Sequence, residues 1–216
     1  LALENAADTP LSRGSRYVLE RSFTFLDAPG EWCHDQARHM LYFRPPDGRS
    51  PQHTTTVVTT PWILALQGTP EKPISNVTIE GLEFRGASAA LLLLQNAADC
   101  RISTCRFRLA GANGILLQGE GTRCRIAGCD MEGIPGIALD VAPGYSETVV
   151  TNTWIRDCGD TGLPAIRFAG SGVVSGNLLH DLGAAALRIT GRKVTCEGNV
   201  IHHTFTQNTG GAALEV

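Results

Sequence analysis

The chain has 216 residues, enough for one or at most two domains with a continuous core. Charged residues are 18% against a usual quarter, hydrophobic residues are an ordinary 43%, and 24 glycines exceed the usual seven per cent or so, which excludes disorder. Eighteen Lys and Arg against 21 Asp and Glu give a net charge of −3 with no basic run to follow a phosphate backbone, so general nucleic-acid binding is not expected. The longest apolar stretch, Ala89 to Leu94, has six residues, far short of the roughly 20 needed to span a bilayer.

In chain order, residues 1–60 carry short strand-like pieces separated by turn formers: Arg16 to Glu20, then Leu26 to Asp35, then Met40 to Pro46, closed by Asp47-Gly48. They predict a β-hairpin-rich segment. The strings Leu26-Asp27-Ala28-Pro29-Gly30-Glu31-Trp32 and Leu41-Tyr42-Phe43-Arg44-Pro45-Pro46 resemble a segment that precedes the regular coils in large bacterial β-helix proteins of the glycoside-hydrolase type, except that Cys33 stands where an aromatic is more typical. His34, Asp35 and His39 are grouped there, but on a hairpin, and no metal site is assigned to them. The chain opens on Leu1 without a signal sequence and stops at Val216 inside a strand-like run, so a longer protein is expected on both sides.

From residue 61 the pattern changes to a repeat. Cys100 and Cys105 recur 24 residues later as Cys124 and Cys129, inside the similar strings Cys-Arg-Ile-Ser-Thr-Cys and Cys-Arg-Ile-Ala-Gly-Cys. Anchors at Ile79, Ile102, Ile126, Val150, Val174 and Cys196 are spaced 23, 24, 24, 24 and 22 residues. Five residues after each lies another large apolar side chain: Phe84, Phe107, Met131, Ile155, Leu179 and Ile201. A further short strand follows 11 to 18 residues after each anchor, centred on Leu92, Leu116, Ala138, Arg167, Arg188 and Glu215. Gly/Asn turns between such short pieces leave no room for a ten-residue helix. Ala87 to Ala98 alone has high helix propensity, but the repeat register predicts a strand.

A period near 23 corresponds to one turn of a parallel β-solenoid, with coils stacked at roughly 4.8 Å and equivalent side chains forming ladders. The inward ladders are Val77/Cys100/Cys124, Ile79 through Cys196, Leu82/Cys105/Cys129, and Phe84 through Ile201. The seven cysteines, lacking metal-chelating spacing, are read as buried ladder residues with free thiols. Asn177 and Asn199 each follow a glycine and occupy equivalent turns of adjacent coils. This arrangement resembles the asparagine ladders of the pectate-lyase-like right-handed parallel β-helix superfamily, over about residues 74 to 216. The strings Gly176-Asn177-Leu178-Leu179-His180-Asp181 and Gly198-Asn199-Val200-Ile201-His202-His203 are similar to a turn motif of β-helix carbohydrate-active proteins. The expected fold is all-β: a right-handed single-stranded parallel β-helix of about six coils of 22–24 residues over 61–216, with the segment 1–60 packing on the first coils and covering their outward leucines.

Two columns follow the ladder that runs from Phe84 to Ile201. The first reads Arg85, Arg108, Glu132, Arg156, His180, His202, and the second Gly86, Leu109, Gly133, Asp157, Asp181, His203. Asp157 and Asp181 then lie one coil apart, at roughly 5 Å between backbones. Carboxyls about 5–5.5 Å apart suit a retaining glycosidase, and like charges so close raise one pKa toward that of a general acid. Arg156, His180 and His202, the outward Arg167 and Arg188, and the outward Trp154 between inward Thr153 and Ile155 are the candidate sugar contacts. A structural role carries more weight for the two aspartates, since Asp157-Cys158-Gly159 and Asp181-Leu182-Gly183 both fit Asp turns. Asn76-Val77-Thr78 matches a glycosylation sequon at the start of a strand, which a bacterial origin would make irrelevant.

The resemblance implies part of a secreted polysaccharide-degrading glycoside hydrolase, acting in the periplasm, at the cell surface or outside a bacterium, with no cofactor or metal. A non-catalytic carbohydrate-binding or adhesion module is the alternative. A polysaccharide lyase would need Ca²⁺-holding acidic clusters and a basic residue as base, and outward Asp and Lys are scarce. Sugar binders offer exposed aromatics, and beyond the hairpin segment only Trp62, Trp154 and Tyr145 are available.

Overall fold

The computed structural model describes residues 23–46, 48, 57–159, 162–206 and 211–216, and the strand-like run Arg16 to Glu20 lies outside them, as does Asp47. The chain divides into two compact units, 1–57 and 58–216. In the first, Trp32–Asp35 pairs antiparallel with Met40–Phe43. His39 closes the turn with φ 52°, and the Asp35 carboxylate accepts the N–H groups of Ala37 and Arg38 at 3.0 and 3.1 Å. Glu31 pins the preceding loop, accepting the N–H groups of Asp27 and Ala28 at 2.7 and 2.6 Å. Phe23 packs edge-on against Tyr42 at 4.6 Å, and Gly48 donates to the Pro45 carbonyl at 3.2 Å. The hairpin is therefore present where turn chemistry predicts it.

The second unit is a parallel β-helix of six coils built from three sheets. The first sheet runs through Trp62–Gln67, Ala90–Ala98, Asn113–Thr122, Leu139–Val141, Ile166–Phe168, Leu187–Ile189 and Leu214–Glu215. The second stacks Thr78–Glu80, Arg101–Ser103, Arg125–Ala127, Thr148–Thr151, Gly172–Ser175 and Val194–Glu197. The third stacks Glu83–Ala87, Arg106–Ala110, Asp130–Ile134, Trp154–Cys158, Leu178–His180 and Val200–His202. Ala90–Ala98 is a strand despite its alanines and leucines, because burial in the stack outweighs helix propensity.

Both long ladders occur in the expected register. Ile79, Ile102, Ile126, Val150, Val174 and Cys196 pair successively in the second sheet, and Phe84, Phe107, Met131, Ile155, Leu179 and Ile201 in the third. Phe84 and Phe107 stack face to face at 4.9 Å. Two ladder members differ from expectation: Leu82 in the first coil and Cys196 in the sixth are exposed. Each is flanked by a neighbouring coil on one side only among the paired strands, so half of its ladder environment is solvent.

The first sheet corrects the predicted outward column. Leu64, Leu92, Ile115, Leu139, Ile166, Leu187 and Leu214 pair as one inward row, so Leu92 faces the core. The outward row is Ala65, Leu93, Leu116, Asp140, Arg167, Arg188 and Glu215. Leu93 replaces Leu92, and Asp140 replaces the buried Ala138. Leu93 and Leu116 are buried all the same, clustered with Ala90 and Ala65.

The corner between second and third sheets carries one column: Leu82, Cys105, Cys129, Thr153, Asn177 and Asn199. Asn177 Nδ2 donates to Asn199 Oδ1 at 2.9 Å and to the Val150 carbonyl at 3.1 Å, and Asn199 Nδ2 donates to the Val174 carbonyl at 2.8 Å. The cysteines do the same more weakly, Cys105 Sγ reaching the Ile79 carbonyl at 3.7 Å and Cys129 Sγ the Ile102 carbonyl at 3.9 Å. Each thiol has one proton and also lies against a nearer carbonyl of its own coil, Ser103 at 3.2 Å for Cys105 and Ala127 at 3.7 Å for Cys129, so the amides satisfy the anchor carbonyl of the preceding coil and the thiols only approach it.

Candidate functional site

At the C-terminal end of each third-sheet strand one residue turns the chain, and every member of this column has left-handed backbone: Gly86 (76°), Leu109 (55°), Gly133 (65°), Asp157 (52°), Asp181 (53°) and His203 (52°). Glycine enters that region freely and Asp by local hydrogen bonding, which accounts structurally for both aspartates. Asp157 and Asp181 are adjacent in the stack, the Asp157 N–H donating to the Asp181 carbonyl at 3.1 Å, and both are exposed.

Beside this corner lies the outer face of the third sheet. Trp154, Leu178 and Val200 form one row and Arg156, His180 and His202 the next. Alternation along each strand aims both rows outward, because Ile155, Leu179 and Ile201 between them point inward. Trp154 is 56% exposed and Val200 55%. Six of the eight predicted site residues, Trp154, Arg156, Asp157, His180, Asp181 and His202, are thereby gathered on one face and its edge. Arg167 and Arg188 stand on the first sheet instead.

The electrostatics differ from the simple expectation at several points. Arg156 is engaged, its guanidinium bonded to Asp130 Oδ1 at 2.6 Å and Glu132 Oε2 at 2.8 Å. Arg108 completes the network, with Asp130 at 3.1 Å and with Glu132. Arg167 is clamped on Asp140, Nε to Oδ1 at 2.7 Å, and Asp140 is only 7% exposed. Arg188 pairs with Glu215. These cross-coil pairs neutralise the outward charges, so the three arginines meet a ligand only as parts of ion pairs.

Asp181 departs from the raised pKa a general acid needs. The His180 imidazole at 2.7 Å from Oδ2 holds the carboxyl below its usual value, with His203 at 3.4 Å from Oδ1 adding to the effect. His180 and His202 stack in parallel at 5.0 Å, and His203 meets His202 edge-on at 4.8 Å. Tyr145, expected as a possible sugar platform, is buried: its hydroxyl donates to the Leu94 carbonyl at 3.1 Å and accepts the Ala97 N–H at 3.2 Å. Trp62 is 38% exposed.

Sequence reasoning missed Asp140, Leu178, Val200 and the roles of Asp130 and Glu132. Glu132 stands one coil from Arg108 and Arg156 in their own column, and Asp130 in the neighbouring column of Arg106 and Trp154. Among the described residues no group of three or more His, Cys, Asp or Glu is arranged to hold a metal, and no helix is long and apolar enough to cross a membrane. Two shallow depressions of about 380 and 240 Å³ share Gly144 at the corner between the first and second sheets, away from the third-sheet face.

No curated protein and no solved structure matches the chain. A family model described as the right-handed β-helix region matches residues 72–215, the span in which the six coils, the two ladders and the asparagine corner lie. The chain belongs to the right-handed β-helix family.

Proposed function

We propose that this is a carbohydrate-active β-helix protein that binds a polysaccharide along the outer face of its third sheet. The observation that carries the reading is Trp154, exposed at the head of an apolar row that continues through Leu178 and Val200 beside His180 and His202. An indole offers a flat apolar face with a polar edge, and imidazoles alongside supply hydrogen bonds for hydroxyls. Rows repeating at roughly 4.8 Å let an extended chain make similar contacts on successive coils. A secreted, periplasmic or cell-surface location in a bacterium accompanies this reading. Affinity electrophoresis through a panel of plant and algal polysaccharides tests it. At least one polysaccharide should retard the protein, and Trp154→Ala should weaken that binding about tenfold or more, the equivalent of one well-placed aromatic contact. Retardation by none, or an unaffected variant, overturns it.

A second reading is glycoside hydrolysis, favoured by the one-coil stacking of Asp157 and Asp181. Asp181, held ionised, suits the nucleophile of a retaining enzyme, which leaves the acid's role to Asp157. Turnover of a bound polysaccharide that persists unchanged in Asp157→Asn and Asp181→Asn would sink that reading while leaving the binding surface intact.

A further inference from the structure

The histidine group on the third-sheet face has a geometry that depends on its own protonation. His202 Nδ1 and His203 Nδ1 are 3.1 Å apart. Such a contact requires one nitrogen to carry the proton and the other to present a lone pair. A second proton would set two N–H groups facing each other, and the contact could not persist. His180, in the fifth coil, lies parallel to His202 of the sixth at 5.0 Å and donates to Asp181, which His203 also approaches at 3.4 Å.

We propose that His180, Asp181, His202 and His203 form an acid-sensitive clasp between the fifth and sixth coils, closed while the histidines are neutral and opened when His202 and His203 are both protonated. Charges on neighbouring elements act in both directions: Asp181 attracts protonated His180 and His203, while like charge on His202 and His203 opposes their contact. In register on the fourth coil stands Arg156, and in the corner Asp157; Asp130 and Glu132 of the third coil are already engaged by Arg108 and Arg156. Protonation therefore lines up Arg156, His180, His202 and His203 as cations, with Asp157 and Asp181 as the carboxylates beside them. Packing resists this less at the sixth coil than at earlier ones. Ile155 and Leu179 are fully buried, whereas Ile201 is only partly buried and Val200 and Cys196 are exposed. The clasp shares His180 and His202 with the proposed binding face but stands independently of what that face binds.

Hydrogen exchange on the intact chain without ligand, at pH 7.5 and 5.0 and corrected for the intrinsic rate at each pH, tests the clasp. Amides of 200–206 should lose about tenfold or more of their protection at the lower pH, while those of Trp154–Cys158 stay within about twofold. A His202→Gln/His203→Asn variant, with Asn chosen because it accepts the left-handed backbone, should abolish the difference. Equal protection of the natural chain at both pH values, or a variant that keeps the tenfold loss, overturns the proposal. Should the variant not fold, histidine titration of the natural chain by NMR decides. A clasp requires coupled titration of His202 and His203, the second proton binding about one pH unit or more below the first. Independent titrations with one midpoint overturn it.

Discussion

Individual residues take their meaning here from a backbone they did not choose. At the corner after the third sheet the chain must pass through left-handed space, and five of six positions hold Gly, Asp or His. Leu109 is the exception, at φ 55° and 53% exposed, with its side chain lying over Gly133. A leucine there carries about 1–2 kcal/mol of strain that little packing offsets. Leu109→Asn should therefore stabilise the chain by about 0.5–1 kcal/mol in urea unfolding, and no gain would show that packing over Gly133 matters more. Asp181 supplies a second test at this scale. Its folded pKa is lowered, so its contribution to stability is present above the ordinary value of 3.8 and is lost as pH falls through the folded value. A ¹³C titration of the Asp181 carboxyl should give a midpoint below 3.8, and a midpoint above it would restore the aspartate as a candidate general acid.

Between residues and molecule, the corner column joining second and third sheets acts as a unit. Asn177 is buried, and its side chain accepts the Thr153 N–H and donates to the Val150 carbonyl of the preceding coil and to Asn199 Oδ1 of the next, so Asn177→Ala leaves polar groups unpaired and should cost about 2–3 kcal/mol. Cys129→Asn should be tolerated much better than Cys129→Val, since the amide can reach the Ile102 carbonyl that the thiol now contacts. Comparable stabilities for the two variants in thermal unfolding would remove the thiol's hydrogen-bonding role. Burial also pushes the Cys124 and Cys129 thiols up to about 11. Of the seven free cysteines only Cys196 is exposed, so the native chain at pH 8 should show one fast-reacting thiol and the denatured chain seven. More than one fast thiol would mean the coils open readily.

Over the whole molecule, stability comes from stacking, because no coil buries its apolar residues alone. Glycine limits how closely coils approach. A Cβ at Gly191 would collide with the Gly170 carbonyl oxygen, so Gly191→Ala should separate the fifth and sixth coils locally and lower the thermal midpoint by several degrees. An unchanged midpoint would mean that the corner rearranges freely.

The second and third sheets were legible in the sequence to the residue, because the corner between them is two residues wide in every coil and the left-handed residue at the end of the third sheet follows its anchor by seven positions in every coil. Counting from Ile79 or Phe84 therefore stays in phase, and the gathering of Trp154, Arg156, Asp157, His180, Asp181 and His202 follows from it. The first sheet was not legible in the same way. The segments leading into it vary in length, from 111–112 before Asn113–Thr122 through 159–165 before Ile166–Phe168 to 203–213 before Leu214–Glu215. Apolar residues on both faces of Ala90–Ala98 give no alternation to fix the phase, so the repeat alone puts Leu92 and Ala138 outward in place of Leu93 and Asp140. Ion pairing was decided by tertiary structure alone. Arg108, Glu132 and Arg156, or Asp140 and Arg167, become neighbours only when coils stack, since residues 24 to 27 positions apart have no local interaction to reveal them. The amino-acid pattern by itself thus determined a period, two sheets and a face, while the stacking of coils decided which charges on it remain free to meet a ligand.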